Sequence, residues 1–150
     1  MGWWKLRRTA IRIRVLDDLG LIIVRVIGPF DGQKLSAQLI DLTDKQPGTA
    51  IYRMIFDFRF AAGVIKDTDA ERVRDHRYLV RERIGRSDVP DGPHALIGGE
   101  HDSLEAIADS HRELNPQTKV GLGSSVDTAW TTTMGEVPMP KDVRAFFSET

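Results

Sequence analysis

The chain has 150 residues, a length that suits one domain better than two. Its net charge of −1 at pH 7 gives no electrostatic case for a nucleic-acid partner, whose phosphates call for a basic surface. The absence of cysteine excludes disulfides, thiolate metal sites and a cysteine nucleophile.

No apolar run approaches the roughly 20 residues needed to cross a bilayer. The longest, "LGLIIVRVIG", is interrupted by Arg25. The opening "MGWWKLRR" has basic residues but no apolar core or small-residue cleavage site, so it is not read as a signal peptide, and a cytoplasmic location is expected. Trp3, Trp4 and Lys5 have the composition of a headgroup contact. A packed or flexible terminus is the commoner role for such residues, and membrane contact is not expected.

In chain order, Ile11, Ile13 and Val15 alternate with Arg12 and Arg14, the period of a half-buried strand. "DDLG" supplies a tight turn, and Leu21 to Ile27, apolar on both faces apart from Arg25, reads as an interior strand. Gly28-Pro29 ends it. Asp31 is placed to cap a helix from about Gly32 to Asp44, on which Leu35, Leu39 and Leu42 recur at helical spacing. "KQPGT" breaks the helix, and a third strand runs from Ile51 to Arg59, with Tyr52, Met54, Phe56, Phe58 and Phe60 as its core stripe. A charged helix follows from about Thr68 to Ile84, with Val73, Leu79, Val80 and Ile84 as the expected buried stripe. Its arginines, Arg77 and Arg81 among them, are expected on a solvated face laced with acidic neighbours.

"HALIGG" is a short apolar strand. Asp102 with Glu105 three residues on has the pattern of a capping box opening the next helix. "KVGLG" is a last strand and "SSVDTAWTTTM" a short helix, with one more helical turn or two in the tail, docked by Phe146 and Phe147. The order ββαβαβαβα calls for an α/β domain. Its sheet should be mixed and mostly parallel, of about five strands, with an opening β-hairpin and flanking helices. A core of about residues 10–135 and a tail of 136–150 make up the single domain expected.

This pattern resembles the STAS fold, found in anti-sigma-factor antagonists and sulfate-transporter tails, and more closely the bacterial STAS-like proteins that carry only that domain. The resemblance rests on the hairpin, "GPFDGQKLSAQLIDL", "IYRMIFDFR" ending near an aspartate, "HALIGG" and "KVGLGSSVDTAW". It implies a regulatory, protein-binding role. In the regulated members, a serine or threonine in the loop after the aspartate-ending strand is phosphorylated. Here that loop is "FRFAAGV", which has no hydroxyl, and the first beyond it is Thr68, which looks like a helix cap. Switching by phosphate at that loop is therefore not expected.

Three stretches carry candidate residues. Asp57 and Arg59 lie two apart on a strand and share a face, about 7 Å from each other along the chain. They read as a local ion-pair network or as a carboxylate–guanidinium pair lining a ligand or partner surface. "GGEHD" places Gly99 and His101 where backbone approaches closely and a ring titrates near neutrality. "GLGSS" places Gly123 and Ser124 between a strand and a helix start, either as a turn with an N-cap or as an anion site. It lacks the P-loop lysine, and no G-x-S-x-G elbow occurs in the chain. The four histidines lack metal-ligand spacing and are read as surface or loop residues. Neither a metal nor a cofactor is expected.

A non-catalytic interaction or regulatory domain is the leading reading. The alternative is a carrier of a small apolar ligand or lipid, by analogy of layout with Sec14-type domains. A homodimer is also expected, because the Arg53, Asp57 and Arg59 face of the sheet needs a cover that either the tail or a second copy would supply.

Overall fold

The computed structural model describes residues 10–63, 65–98 and 102–149, with the side chains of residues 102–104 outside that description. The expectations for Trp3 and Trp4, for Gly99 and His101, and for the Asp102 cap lie outside the described residues.

The strands are β1 (Ala10–Leu16), β2 (Leu21–Pro29), β3 (Arg53–Ala62), β4 (His94–Ile97) and β5 (Val120–Gly123). The helices are α1 (Gly32–Lys45), α2 (Asp67–Arg83), α3 (Asp102–Leu114), α4 (Val126–Met134) and α5 (Lys141–Ser148). The strands form one sheet in the order β1-β2-β3-β4-β5. β1 pairs antiparallel with β2, from Ala10 opposite Ile27 to Leu16 opposite Leu21, and every other pairing is parallel. Gly20 turns the hairpin at φ 58°, a left-handed conformation that costs glycine little.

The alternation of β2 and β3 divides the core between two faces. On one face Ile22, Val24, Met54, Phe56 and Leu96 pack with Leu35 and Leu39 of α1 and Ala108 of α3. On the other, Leu21, Ile23, Ile55 and Ile97 pack with Trp130 of α4 and Val143 and Phe147 of α5. The crossovers through α1, α2 and α3 each add the next strand on the same side, so the strand order never reverses. Ligand crevices in open α/β sheets form where the order does reverse, at the carboxyl ends of the strands. This sheet has no such switch point.

The α/β class, the mixed sheet and the opening hairpin are as expected, as is the Asp31 cap, whose Oδ1 accepts from the Gln33 N–H at 2.8 Å. Phe60 departs from expectation. Between Arg25 and Ile27 of β2, β3 advances from Asp57 to Phe60, one residue more than its partner. Such a bulge turns every later side chain to the opposite face. Phe60 therefore leaves the core stripe of Phe56 and Phe58 and is 43% exposed, over the guanidinium of Arg59 at 5.0 Å.

The glycines of β5 serve helix packing. A Cβ at Gly121 would stand 2.7 Å from Thr132 Cγ2, and one at Gly123 would stand 3.2 Å from Thr128 Cγ2. Gly121→Ala is expected to cost about 1–3 kcal/mol by overpacking. Adding Thr132→Ala should recover much of the loss in urea unfolding, and equal stability of Gly121→Ala and the native chain would contradict this packing.

Candidate functional site

Arg25 is the one charge in β2, and Asp57 stands directly opposite it on β3. Both are fully buried. Arg25 Nε donates to Asp57 Oδ2 at 3.0 Å, while Arg59 donates through Nε to Oδ1 and through Nη2 to Oδ2, each at 2.9 Å. The Arg59 N–H also donates to Oδ1 at 3.1 Å, which fixes the bulge. Burial pushes the Asp57 carboxyl up, but the hydrogen bonds from Arg59 and Arg25 outweigh it and hold the group below the ordinary carboxylate range.

Two guanidiniums on one carboxylate leave an excess positive charge, and α5 answers it. Arg25 Nη1 donates to the carbonyl of Phe146 at 2.7 Å and of Glu149 at 2.6 Å, and Arg59 Nη2 donates to the carbonyl of Phe147 at 2.8 Å. These belong to the carbonyls that a helix C-terminus leaves without partners, where the dipole favours cations. The last turn of α5 has no basic residue of its own, so the sheet supplies the cations. Arg12 adds an ion pair to Glu149 at 2.9 Å, and Arg14 pairs with Asp142 at the other end of the helix. The half-polar sheet face is thus covered by the chain's own α5, and a second copy is not needed to cover it.

A second cluster lies across the sheet, and it corrects three expectations. Leu79 of α2 is 48% and Ile84, just past its end, 37% exposed, whereas Arg77 is 2% and Arg81 6% exposed. The buried stripe runs through Asp69, Arg77, Val80 and Arg81, with Val73 half-buried beside it, because a carboxylate from the loop before β4 meets it. Arg77 donates to Asp91 Oδ1 at 2.8 Å through Nη2 and to both oxygens at 3.1 Å through Nε. It also donates to the carbonyls of Thr49, Ala50 and Tyr52, at the end of the tight helical turn Pro47–Ile51. Arg81 stands 3.6 Å from the same carboxylate. Burial pushes the Asp91 carboxyl up, but Arg77 and His94 prevail and hold it far below its ordinary value.

His94 and His111 are not surface residues. His94 opens the fully buried strand β4, and its Nε2 lies 3.1 Å from Asp91 Oδ1. Its Nδ1 lies 3.1 Å from Nε2 of the half-buried His111, on the last turn of α3. Phe56 meets both rings edge-on, at 6.2 and 5.9 Å. Burial and the neighbouring His94 lower His111 to about 3, against a weaker pull from Asp91.

This gives stability a pH dependence of known sign. A histidine with a depressed folded pKa binds its proton more readily in the unfolded chain. The contribution of His111 is complete above about pH 6.5 and is lost as pH falls, with a slope of up to about 1.4 kcal/mol per pH unit. Asp57 and Asp91, lowered in the folded chain, add losses only below about pH 5. His111→Phe should therefore flatten the dependence of unfolding free energy on pH between 7 and 5. Parallel curves for the two chains would contradict this.

Asp91, His94 and His111 help line a cavity of about 40 Å³ between the sheet and α1, α2 and α3, together with Leu35, Leu39, Phe56 and Phe58 and with Asp69, Arg74 and Arg77 of α2. Asp57, Arg59, Gly123 and Ser124 do not line it. Gly123 lies in the same register row as Asp57 with β4 between them, about 10 Å away. Ser124 is exposed, and its neighbour Ser125 is the cap of α4, accepting from the Thr128 N–H at 3.1 Å. Among the described residues no group of three or more histidine, aspartate or glutamate side chains is arranged to hold a metal ion, and no helix is long and apolar enough to cross a membrane. Comparison with protein-family models and with curated proteins gives no match for this chain.

Proposed function

We propose that the chain is a non-catalytic interaction or regulatory domain of the STAS-like kind, which acts by binding a protein through the carboxyl end of β3. The observation that carries this reading is the fate of Asp57 and Arg59. Their polar atoms hold Arg25 and the end of α5, so they add rigidity where the sheet ends and offer no free acid, base or nucleophile. Phe60, turned outward by the bulge, gives that end an exposed aromatic surface, a residue type enriched in protein interfaces. The loop after it has no hydroxyl, so control by partner binding fits better than control by phosphate.

The carrier reading has one observation in its favour, the cavity beneath α1 to α3. Its volume of about 40 Å³ is small beside the roughly 300–1,000 Å³ of pockets for drug-sized ligands, which favours the interaction reading over a lipid carrier.

The test is affinity purification of the tagged chain, repeated with the tag on the recovered protein. A partner seen in both directions and lost with Phe60→Ser, at unchanged thermal stability, is the expected result. A partner retained by Phe60→Ser, or turnover of a small substrate by the purified chain, would contradict the reading.

A further inference from the structure

His94 Nδ1 and His111 Nε2 stand 3.1 Å apart, and a hydrogen bond between two ring nitrogens holds one proton. His94 Nε2 carries a proton of its own, because the ionised Asp91 carboxylate it meets only accepts. With the contact intact, the two rings together therefore take at most one positive charge, whichever of them bears it. A second charge sets two N–H groups head to head. Once apart, the rings take one charge each below about pH 6.5.

The surroundings do not favour a second charge. Asp91 already serves Arg77 and Arg81 as well as His94. Arg74 and Asp69 of α2 line the same cavity, β3 and α1 present apolar groups there apart from Ser36, and Arg112 of α3 turns away to Asp109 and the Val120 carbonyl.

His111 sits on a lightly held helix. Among the α3 residues with described side chains only Ala108 is fully buried, with Ile107 half-buried. The other ties, none of them fully buried, are Arg74 to the Leu114 carbonyl at 3.2 Å, Ser110 to Asp67 at 2.6 Å and Arg112 to the Val120 carbonyl at 3.2 Å. A helix of 13 residues without packing is marginal in water. We propose that α3 is an acid-released flap: a second positive charge on the His94–His111 pair detaches it from the sheet and opens the cavity beneath, while the central strands stay folded. The device is separate from the β3 end and acts whether or not a protein binds there.

Amide hydrogen exchange of the full chain from pH 7.5 to 5, with each rate divided by that of an unstructured peptide at the same pH, tests the proposal. Opening takes up one proton, so protection from Ala108 to Leu114 is expected to fall by roughly tenfold per pH unit below about pH 6.5. Protection in β2 and β3 should fall much less. His111→Phe keeps a ring against Phe56 and takes no proton, so α3 in that variant should lose the pH response. Protection of α3 that does not change with pH, an equal fall in β2 and β3, or the same fall in the folded variant would overturn the proposal. If His111→Phe fails to fold, the contrast between α3 and β2 in the native chain decides by itself.

Discussion

Asp91→Ala is expected to lower the unfolding free energy by about 3–5 kcal/mol, the usual cost of leaving a buried charge without its partner. The carboxylate serves Arg77 and Arg81 together, and both guanidiniums are almost wholly removed from water. Against a total stability of about 5–15 kcal/mol for a domain, that loss should be plain in urea unfolding as a lower midpoint. Arg77→Met added to the same chain should recover part of it, because one unpaired guanidinium is then gone. A loss under about 1 kcal/mol, the range of exposed pairs, would mean that the cluster is solvated.

Asp57→Ala is expected to have a similar cost, about 3–5 kcal/mol, for a related reason. Arg25 is fully buried, and without Asp57 it keeps only the α5 carbonyls as partners. The comparison that separates burial from mere pairing is Arg14→Met. Arg14 also clamps α5, through Asp142, but the pair is exposed, and its removal should cost no more than about 1 kcal/mol. Equal effects of the two substitutions on the thermal midpoint would contradict the ranking.

The sheet was legible in the sequence wherever the signal was local. The alternation of Ile11, Ile13 and Val15, the "DDLG" turn and the Asp31 cap each act over a few residues, and each has its expected place, whereas the strand expected to stop at Ile27 pairs with β3 through Pro29. The buried clusters were less legible because their partners are far apart in sequence. Arg77 reads as a solvated helix residue until Asp91 meets it from a loop, and nothing in the helical periodicity announces that meeting. Phe60 changed faces through one extra residue in β3, which a strict period of two does not register.

A signal for the first cluster was nevertheless present. Arg25 is the lone charge in a strand that reads as interior, and Asp57 is the one acidic residue of the next strand; opposite charges in neighbouring buried strands have good reason to meet. His94 gave a similar hint, as a polar residue opening an otherwise apolar strand.

The most direct measurement is amide hydrogen exchange along α5 in the native chain and in Asp57→Asn. If Arg25, Asp57 and Arg59 anchor this helix, protection from Val143 to Ser148 should fall by roughly tenfold or more in the variant, while β2 and β3 lose much less. Unchanged protection in α5, or an equal loss across the whole sheet, would contradict the anchoring role and return the end of β3 to consideration as a ligand site.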